Sequence, residues 1–169
     1  MGARHRVRQF FAALRPAGDS GLGPAAAALL SPAERSLFER LSPPYRRHSL
    51  AVYRWLRASG NAGPDLLKAA LLHDVGKAEA RIRLHHRVLG VLLRRFASPL
   101  LLWLAREDAP GGWRYPFYVQ RQHAAIGARL AENAGAPPEV VALIAHHHDQ
   151  PAPGDGDSLR VLRSADGAE

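Results

Sequence analysis

The amino-acid sequence predicts an all-α fold, a compact bundle of several short helices around one core. Apolar residues recur every three or four positions along most of the chain, which is typical of helices that bury one face. The 13 prolines and 15 glycines divide these segments at frequent intervals, and the alternating polarity that would indicate strands is scarce. Because 169 residues suffice for one hydrophobic core but hardly for two, we expect a single folded domain.

The N-terminal segment is expected to lie outside that domain. Residues 3–14 carry apolar side chains at helical spacing among arginines, and residues 16–24 are rich in proline and glycine. We therefore expect a basic N-terminal helix and linker over residues 1–24 and the folded domain over residues 25–169. The basic helix could bind an anionic membrane surface, although packing against the domain is the commoner arrangement.

Two helix starts are clearly marked in the following segment. Ser31-Pro32-Ala33-Glu34 has the capping-box pattern with proline at the first helical position, and Ser42-Pro43-Pro44 predicts a second start of the same kind. The second helix is expected over about residues 43–59. In it, His48 heads a stripe of apolar residues at helical spacing, so we expect His48 to face inward.

The helix that begins at residues 64–65 leads into the most informative stretch of the chain, residues 71–77. Its apolar residues run directly into His73 and Asp74, which we therefore expect to be buried near the helix end. A buried carboxylate is costly unless a cation or a metal ion compensates its charge, and imidazole is a common metal ligand. An aspartate that accepts a hydrogen bond from the neighbouring ring in an ordinary core is the alternative interpretation of this dipeptide.

Lys77 is an unusual choice in this composition. It and Lys68 are the only lysines among 23 basic residues, so a lysine three positions after Asp74 favours a compact charge that contacts phosphate. A solvated lysine at a helix end is the alternative. Gly76 is expected to let the backbone turn before the next element.

The chain from there to residue 117 is expected to be mainly structural. A helix is predicted over about residues 79–95, with basic side chains on its early turns, and a short buried helix over residues 100–104. The loop that follows contains three aromatic residues, which we expect to fill the core rather than floor a base-binding pocket: Trp113, Tyr115 and Phe117.

Three later helices each lead to a candidate ligand. The helix that starts near Tyr118 has the cleanest periodicity in the chain and carries His123 on its apolar face. The next helix, from about residue 137, leads into His146-His147-His148-Asp149, and Asp166 follows two leucines on the stripe of the last helix. Any one of these histidines alone would more often be an ordinary core residue, but the whole set favours a metal site.

Taken in order, these residues resemble the signature of the HD-domain superfamily of metal-dependent phosphohydrolases, and especially its small bacterial HDIG-like members. That signature is a His, then His-Asp, often further histidines, and then a late Asp. Over about residues 42–169 this chain matches the order with His48, His73-Asp74, His123, His147-His148 and Asp166. The resemblance implies an HD-domain-like bundle with the metal site between its helices.

The resemblance also implies a metal ligand set. The core metal ion would be bound by His48, His73, Asp74 and Asp166. Family members that hold two ions often have extra histidines, and the corresponding residues here are His123, His147 and His148.

Other roles follow from the same resemblance. Asp74 and Lys77 would be catalytic, with Lys77 also contacting the substrate phosphate. Apart from the resemblance, the position of Arg47 near its helix start could let it reach a bound anion, and a solvated arginine is the alternative. Whether His146 takes part is open. Asp149 stands where the family pattern has an acidic residue, and its role is open too.

The implied cofactor is one or two divalent metal ions per chain. The chain has no cysteine, so thiolate ligands are excluded, and a mixed imidazole and carboxylate set suits Mn, Fe, Co or Ni, with Zn or Mg also possible. The implied activity is hydrolysis of a nucleotide or related phosphate ester or anhydride by metal-activated water. Two alternatives stay open, a di-iron oxygenase of the same helical architecture and a non-catalytic metal- or nucleotide-binding module.

The lack of a signal-peptide or membrane-spanning pattern predicts a cytoplasmic protein, and the resemblance implies a small-molecule phosphate substrate such as a nucleotide. The net charge of +8 suits an anionic ligand but indicates no specific nucleic-acid partner. No signal-peptide pattern is found, and the most apolar region, residues 88–105, is interrupted by arginines and a proline, so no transmembrane segment is expected. The sequence does not indicate an oligomeric state.

Overall fold

The computed structural model describes residues 21–61 and 63–168, and it confirms the all-α fold. Nine α-helices and one 3-10 helix make up the regular structure of these residues, with no strand among them. The elements are α1 (Pro24–Ala27), α2 (Pro32–Arg40), α3 (Pro43–Ala58), α4 (Pro64–Leu72), the 3-10 helix (Val75–Glu79), α5 (Leu84–Phe96), α6 (Ser98–Leu104), α7 (Tyr115–Asn133), α8 (Pro138–His146) and α9 (Asp157–Ala168). The expected basic helix over residues 3–14 lies outside the described residues, and the domain boundary at residue 25 stays a prediction.

The main core forms around α4, which is buried on nearly all sides. Helices α2, α3, α8 and α9 all contact it, and Leu71 and Leu72 at its end are fully buried. A helix that is apolar all round is typical of such a central position. The consequence is that α4 delivers His73 and Asp74, which follow it directly, into the interior of the protein.

The capping box predicted at the start of α2 is confirmed, and it has an additional partner. The Ser31 amide donates to Glu34 Oε2 at 2.7 Å, and the Glu34 amide donates to Ser31 Oγ at 3.2 Å. Glu34 is only 1% exposed, and Lys68 Nζ of α4 donates to both of its carboxylate oxygens, at 2.8 and 2.9 Å. Helix α3 begins at Pro43 as expected, but Ser42 makes no side-chain capping bond.

Three predictions for the middle of the chain are wrong. The helix expected over residues 79–95 begins only at Leu84, because residues 75–79 form a 3-10 helix and an extended connection follows. Helix α6 exposes most of its large side chains, and among the loop aromatics Phe117 is buried whereas Trp113 is 67% exposed. The periodicity of these segments indicated a helix face correctly but not the direction in which that face points.

Gly76 has a different structural role from the expected turn. Its φ is not positive, unlike that of Gly60, Gly111 and Gly135. Instead, a Cβ at residue 76 would collide with the backbone carbonyl of His123 and lie 2.8 Å from the amide nitrogen of Gly127. The absence of a side chain therefore lets the 3-10 helix pack directly on the backbone of α7.

No helix among the described residues combines the length and the apolar character that crossing a bilayer requires.

Candidate metal centre

The structure brings the candidate ligands from five parts of the chain together. His48 lies on α3, His73 and Asp74 follow α4, and His123 lies on α7. His147 and His148 follow α8, and Asp166 lies on α9. Side chains separated by more than a hundred positions in the sequence thus meet in the interior between these helices.

Three of the histidines are oriented in the same way. The Nδ1–H groups of His73, His123 and His147 donate to the backbone carbonyls three residues earlier, at distances of 2.9, 2.9 and 2.7 Å. Since a carbonyl can only accept, Nδ1 carries the proton in each ring and Nε2 keeps a free lone pair. A hydrogen bond from the second ring nitrogen to a carbonyl is the usual way in which proteins orient a metal-binding imidazole.

The free nitrogens of these rings are buried without partners. His73, His123 and His147 are each at most 5% exposed, and none of their Nε2 atoms has a hydrogen-bond partner. Such buried, unsatisfied polar atoms are rare in native proteins and call for an explanation. Several of them pointing into one region fit the lone pairs that a metal ion would require.

Asp74 lies between two groups of possible ligands. Its Oδ1 is 3.4 Å from Nε2 of His123 and 3.7 Å from Nε2 of His73, and its nearest charged neighbour is the ammonium group of Lys77 at 2.7 Å. Asp74 forms one group with His48 and His73, and a second group with three histidines on the other side, His123, His147 and His148. Within each group the potential ligand atoms lie within 4.8 Å of one another. The arrangement therefore has room for one ion in each group, with Asp74 shared.

Asp166 is not a member of the first group but lies at its more accessible edge, next to His48. Nε2–H of His48 donates to Asp166 Oδ1 at 2.8 Å, and both side chains are partly exposed. The same oxygen lies 3.6 Å from Nε2 of His73, which is too long for a hydrogen bond. A metal ion at this edge would take the place of the proton that His48 and Asp166 now share.

Lys77 supplies the positive charge next to the shared carboxylate. Its Nζ donates to Asp74 Oδ2 at 2.8 Å and lies 2.7 Å from Oδ1. Burial raises the pKa of Asp74, but Lys77 and the neighbouring imidazoles outweigh burial and hold that pKa well below its usual range. Asp74 is therefore a carboxylate at neutral pH and can act as a ligand.

The histidines of the second group are held in the neutral form. Burial, followed by the charge of Lys77, lowers the pKa of His123 well below its usual value and also lowers that of His148. Burial and the nearby His73 lower the pKa of His147 to about 3. His73 differs, because Asp74 and Asp166 outweigh its burial and raise its pKa. Neutral imidazoles in the second group need lose no proton when they bind a cation.

Two residues beside the centre do not join either group. His146 and Asp149 pair with each other, with 2.7 Å between Nδ1 and Oδ2, and both are exposed on the surface. The geometry thus leaves His146 and Asp149 outside the candidate centre.

Arg47 is partly buried and precedes His48 in α3. It makes no hydrogen bond or ion pair with any of the described residues.

Sequence reasoning missed Tyr45, which lies beside the centre. The Tyr45 ring is contacted by Lys77 Nζ at 5.2 Å and by the Arg87 guanidinium at 5.3 Å from its centroid. Burial raises the pKa of the Tyr45 hydroxyl. The available signal was its position three residues before His48, which places both side chains on one side of α3.

Comparison with known proteins gives an independent finding. A family model described as HD domain matches residues 45–167 of the 169-residue chain. Neither the curated proteins nor the solved structures contain a match. The matched segment contains all of the residues that form the candidate centre.

Proposed function

The chain belongs to the HD-domain family, and from that premise we propose that it is a metal-dependent phosphohydrolase acting on a nucleotide or related phosphate ester or anhydride. The observation that supports this proposal most is the set of three buried, unpaired Nε2 atoms of His73, His123 and His147 around the ionised carboxylate of Asp74. An ordinary core would have paired these atoms with each other or with the backbone.

We propose two ion sites that share Asp74. The first would be formed by His48, His73 and Asp74, with Asp166 at its edge, and the second by Asp74, His123, His147 and His148. All the ligand atoms are nitrogen or oxygen, which suits Mn, Fe, Co or Ni and also permits Zn or Mg. When bound, such an ion polarises phosphate oxygens and lowers the pKa of a coordinated water.

Lys77 is proposed to have two functions in the reaction. Its ammonium group keeps Asp74 ionised, and its side chain is partly exposed, so that it can also contact a phosphate. A charge fixed next to the site stabilises the negative charge that develops on the phosphate oxygens in the transition state. Arg47, unpaired among the described residues, is proposed as a second contact for the substrate anion.

The test is an assay of the purified full chain on nucleotides, phosphomonoesters and phosphodiesters, with Mn²⁺, Co²⁺, Ni²⁺ or Mg²⁺ added. We expect hydrolysis of at least one class, and chelation should abolish it. His123→Ala should lower the rate by about 100-fold or more, since even indirect partners of metal ligands contribute about 10- to 100-fold. His146→Ala is the matched control, because it removes an exposed histidine outside both groups.

Two outcomes would contradict the proposal. Activity that survives chelation would separate the reaction from the candidate centre. Bound iron together with oxygen consumption, and without phosphate release, would instead support the oxygenase alternative.

A further inference from the structure

Helix α5 presents its apolar face to solvent. Leu84, Val88, Leu92 and Phe96 follow one another at four-residue spacing and therefore lie on one face of the helix, and all four are exposed, Phe96 by 77%. Only Leu93 of this helix is buried. In a helix that packs on a domain the apolar stripe faces the core, so the orientation of α5 is the reverse of the usual one.

The exposed apolar side chains extend beyond α5 into α6 and the loop that follows. All the large apolar side chains that are exposed among the described residues lie between residues 84 and 113. Trp103 of α6 and Trp113 of the loop are neighbours, with 6.3 Å between their ring centroids. We name this surface the α5–α6 patch, and it consists of Leu84, Val88, Leu89, Val91, Leu92, Phe96, Leu100, Leu102, Trp103 and Trp113. Such a concentration of exposed apolar residues marks an interaction surface.

The helical part of this surface, residues 80–106, carries only positive charge, whereas Glu107 and Asp108 lie in the loop that leads to Trp113. Residues 80–106 contain no aspartate or glutamate but six arginines, at positions 81, 83, 87, 94, 95 and 106. Within the part of the chain that the structure describes, none of these arginines forms an ion pair with a carboxylate. The patch therefore combines exposed apolar residues with uncompensated arginines and calls for an apolar partner that is also anionic.

A cavity behind the patch has the same character. It measures about 440 Å³ and is lined by apolar side chains of α5, α6 and α7, Phe117 among them. Arg87, Arg94 and Arg121 line it as well, and no carboxylate does. Arginine is well suited to binding phosphate oxygens.

We propose that the α5–α6 patch docks the protein on the surface of an anionic phospholipid bilayer. Leu92, Phe96 and the neighbouring apolar side chains would enter the region between the headgroups, and the arginines would bind lipid phosphates. Helices with an arginine-flanked face of Leu, Phe and Trp bind in the plane of a membrane interface in this way. Tryptophan rings such as those of Trp103 and Trp113 are favoured at the headgroup level.

Charge argues against the other occupants of this surface. A second copy of the chain would bring two sets of six arginines together, with only Glu107 and Asp108 of each patch to oppose them, and Asp108 already pairs with Arg114. The N-terminal residues 1–20 have apolar residues but are themselves rich in arginine, so they too would be repelled. An anionic bilayer would neutralise the arginines and cover the exposed apolar side chains at the same time.

The test is binding of the full chain to vesicles of phosphatidylcholine alone and of phosphatidylcholine with phosphatidylglycerol. We expect binding only to the anionic vesicles, weaker binding at high salt, and a blue shift of the tryptophan emission. Leu92→Asp combined with Phe96→Asp should weaken binding by at least about tenfold. Arg94→Gln with Arg95→Gln should weaken it by about tenfold.

The control variant, Arg54→Gln with Arg57→Gln, removes two exposed charges from α3, away from the patch, and should bind as the wild type does. Thermal melts of all variants should coincide, because every substituted side chain is exposed. The proposal fails if the anionic vesicles are not bound, or if phosphatidylcholine alone binds equally well. It also fails if the variant with Leu92→Asp and Phe96→Asp still binds, because binding would then be assigned to residues 1–20. A dimer of the wild type that this variant converts to monomers would likewise contradict the proposal.

Discussion

The candidate metal centre and the α5–α6 patch are both carried by helices, but polar side chains are buried at the centre whereas apolar side chains are exposed on the patch. At the centre, the Nε2 atoms of His73, His123 and His147 are buried without hydrogen-bond partners. On the patch, apolar side chains such as Phe96 are exposed without cover. Both conditions are unfavourable for an isolated protein, and each indicates a missing partner of a particular chemistry, a cation in one case and an anionic apolar surface in the other.

The two regions meet at Tyr45. Lys77 of the candidate centre and Arg87 of α5 contact the same tyrosine ring. The beginning of α5 therefore adjoins the centre, while its far end carries the most exposed side chain of the patch, Phe96.

The first test of this comparison uses Glu34, a buried carboxylate that pairs with a side chain of the protein itself. Glu34 is as deeply buried as Asp74, but Lys68 and the capping box satisfy it. Lys68→Met should therefore lower the free energy of unfolding by about 3 kcal/mol, because it leaves a buried carboxylate unpaired. Chemical denaturation with and without a chelator measures this loss, which should not depend on metal, and Lys68→Arg should retain most of the stability. A loss of under about 1 kcal/mol would show that Glu34 is not held by this pair.

Metal binding should stabilise the protein by a similar amount. If the buried lone pairs are ligands, Mn²⁺ or Co²⁺ at about 100 times its dissociation constant should raise the free energy of unfolding by about 2.7 kcal/mol. Thermal melts with metal or with chelator measure the difference. Asp149→Asn should show the same increase as the wild type, since Asp149 lies outside both groups, and an absence of any increase in the wild type would argue against a cation site.

The close packing of the 3-10 helix on α7 provides a third test. Gly76→Ala should destabilise the protein by about 2 kcal/mol, because the added methyl group would meet backbone atoms that cannot move aside. It should also weaken metal binding, since the 3-10 helix follows Asp74 directly and carries Lys77. Gly90→Ala is the control, because the added group would meet only the end of the Gln120 side chain at 3.4 Å. Equal stability of the two variants would contradict this role for Gly76.

Replacing one histidine of the second group should have a smaller effect on the metal-free protein. His147→Leu removes the unpaired Nε2 but also the Nδ1–H that donates to the Ile144 carbonyl, so the two effects should largely cancel and the free energy of unfolding should change by less than about 1 kcal/mol. The same variant should lose the stabilisation by metal. Denaturation in chelator, with the exposed His146→Leu as control, measures both effects. A loss of more than about 2 kcal/mol in the metal-free variant would mean that His147 serves the core rather than a ligand.

The smallest effect is expected on the patch. Leu92→Asn and Val91→Thr change exposed side chains and should alter the free energy of unfolding by less than about 0.5 kcal/mol. A loss above about 1 kcal/mol in denaturation would mean that these side chains support the fold itself.

The sequence alone predicted the features that depend on interactions between neighbouring residues of the chain. The capping box at Ser31, the prolines that open α3 and α8, and the inward position of His123 depend on residues within one or two turns, and all were predicted. The order of the histidines and aspartates predicted a shared site because a known family has that order. Convergence of the side chains then required that α3, α8 and α9 pack on α4 and that α7 pack on the 3-10 helix and α8.

The features that depend on packing between helices were not predictable in this way. An apolar run such as that of α6 does not reveal whether it meets the core or the solvent, so Leu100 and Leu102 were wrongly placed inside. The role of Gly76 depends on the backbone of α7, about fifty residues further along the chain. The sequence likewise did not indicate that Asp149 and His146 pair with each other on the surface.

The most direct test of the account is the metal content of the full chain after loading with Mn²⁺ or Co²⁺ and removal of free ions, measured by elemental analysis. The account predicts two ions per chain for the wild type and for the control Asp149→Asn, and a loss of both in Asp74→Asn, because both groups share Asp74. Retention of the wild-type metal content by a folded Asp74→Asn protein would contradict the account.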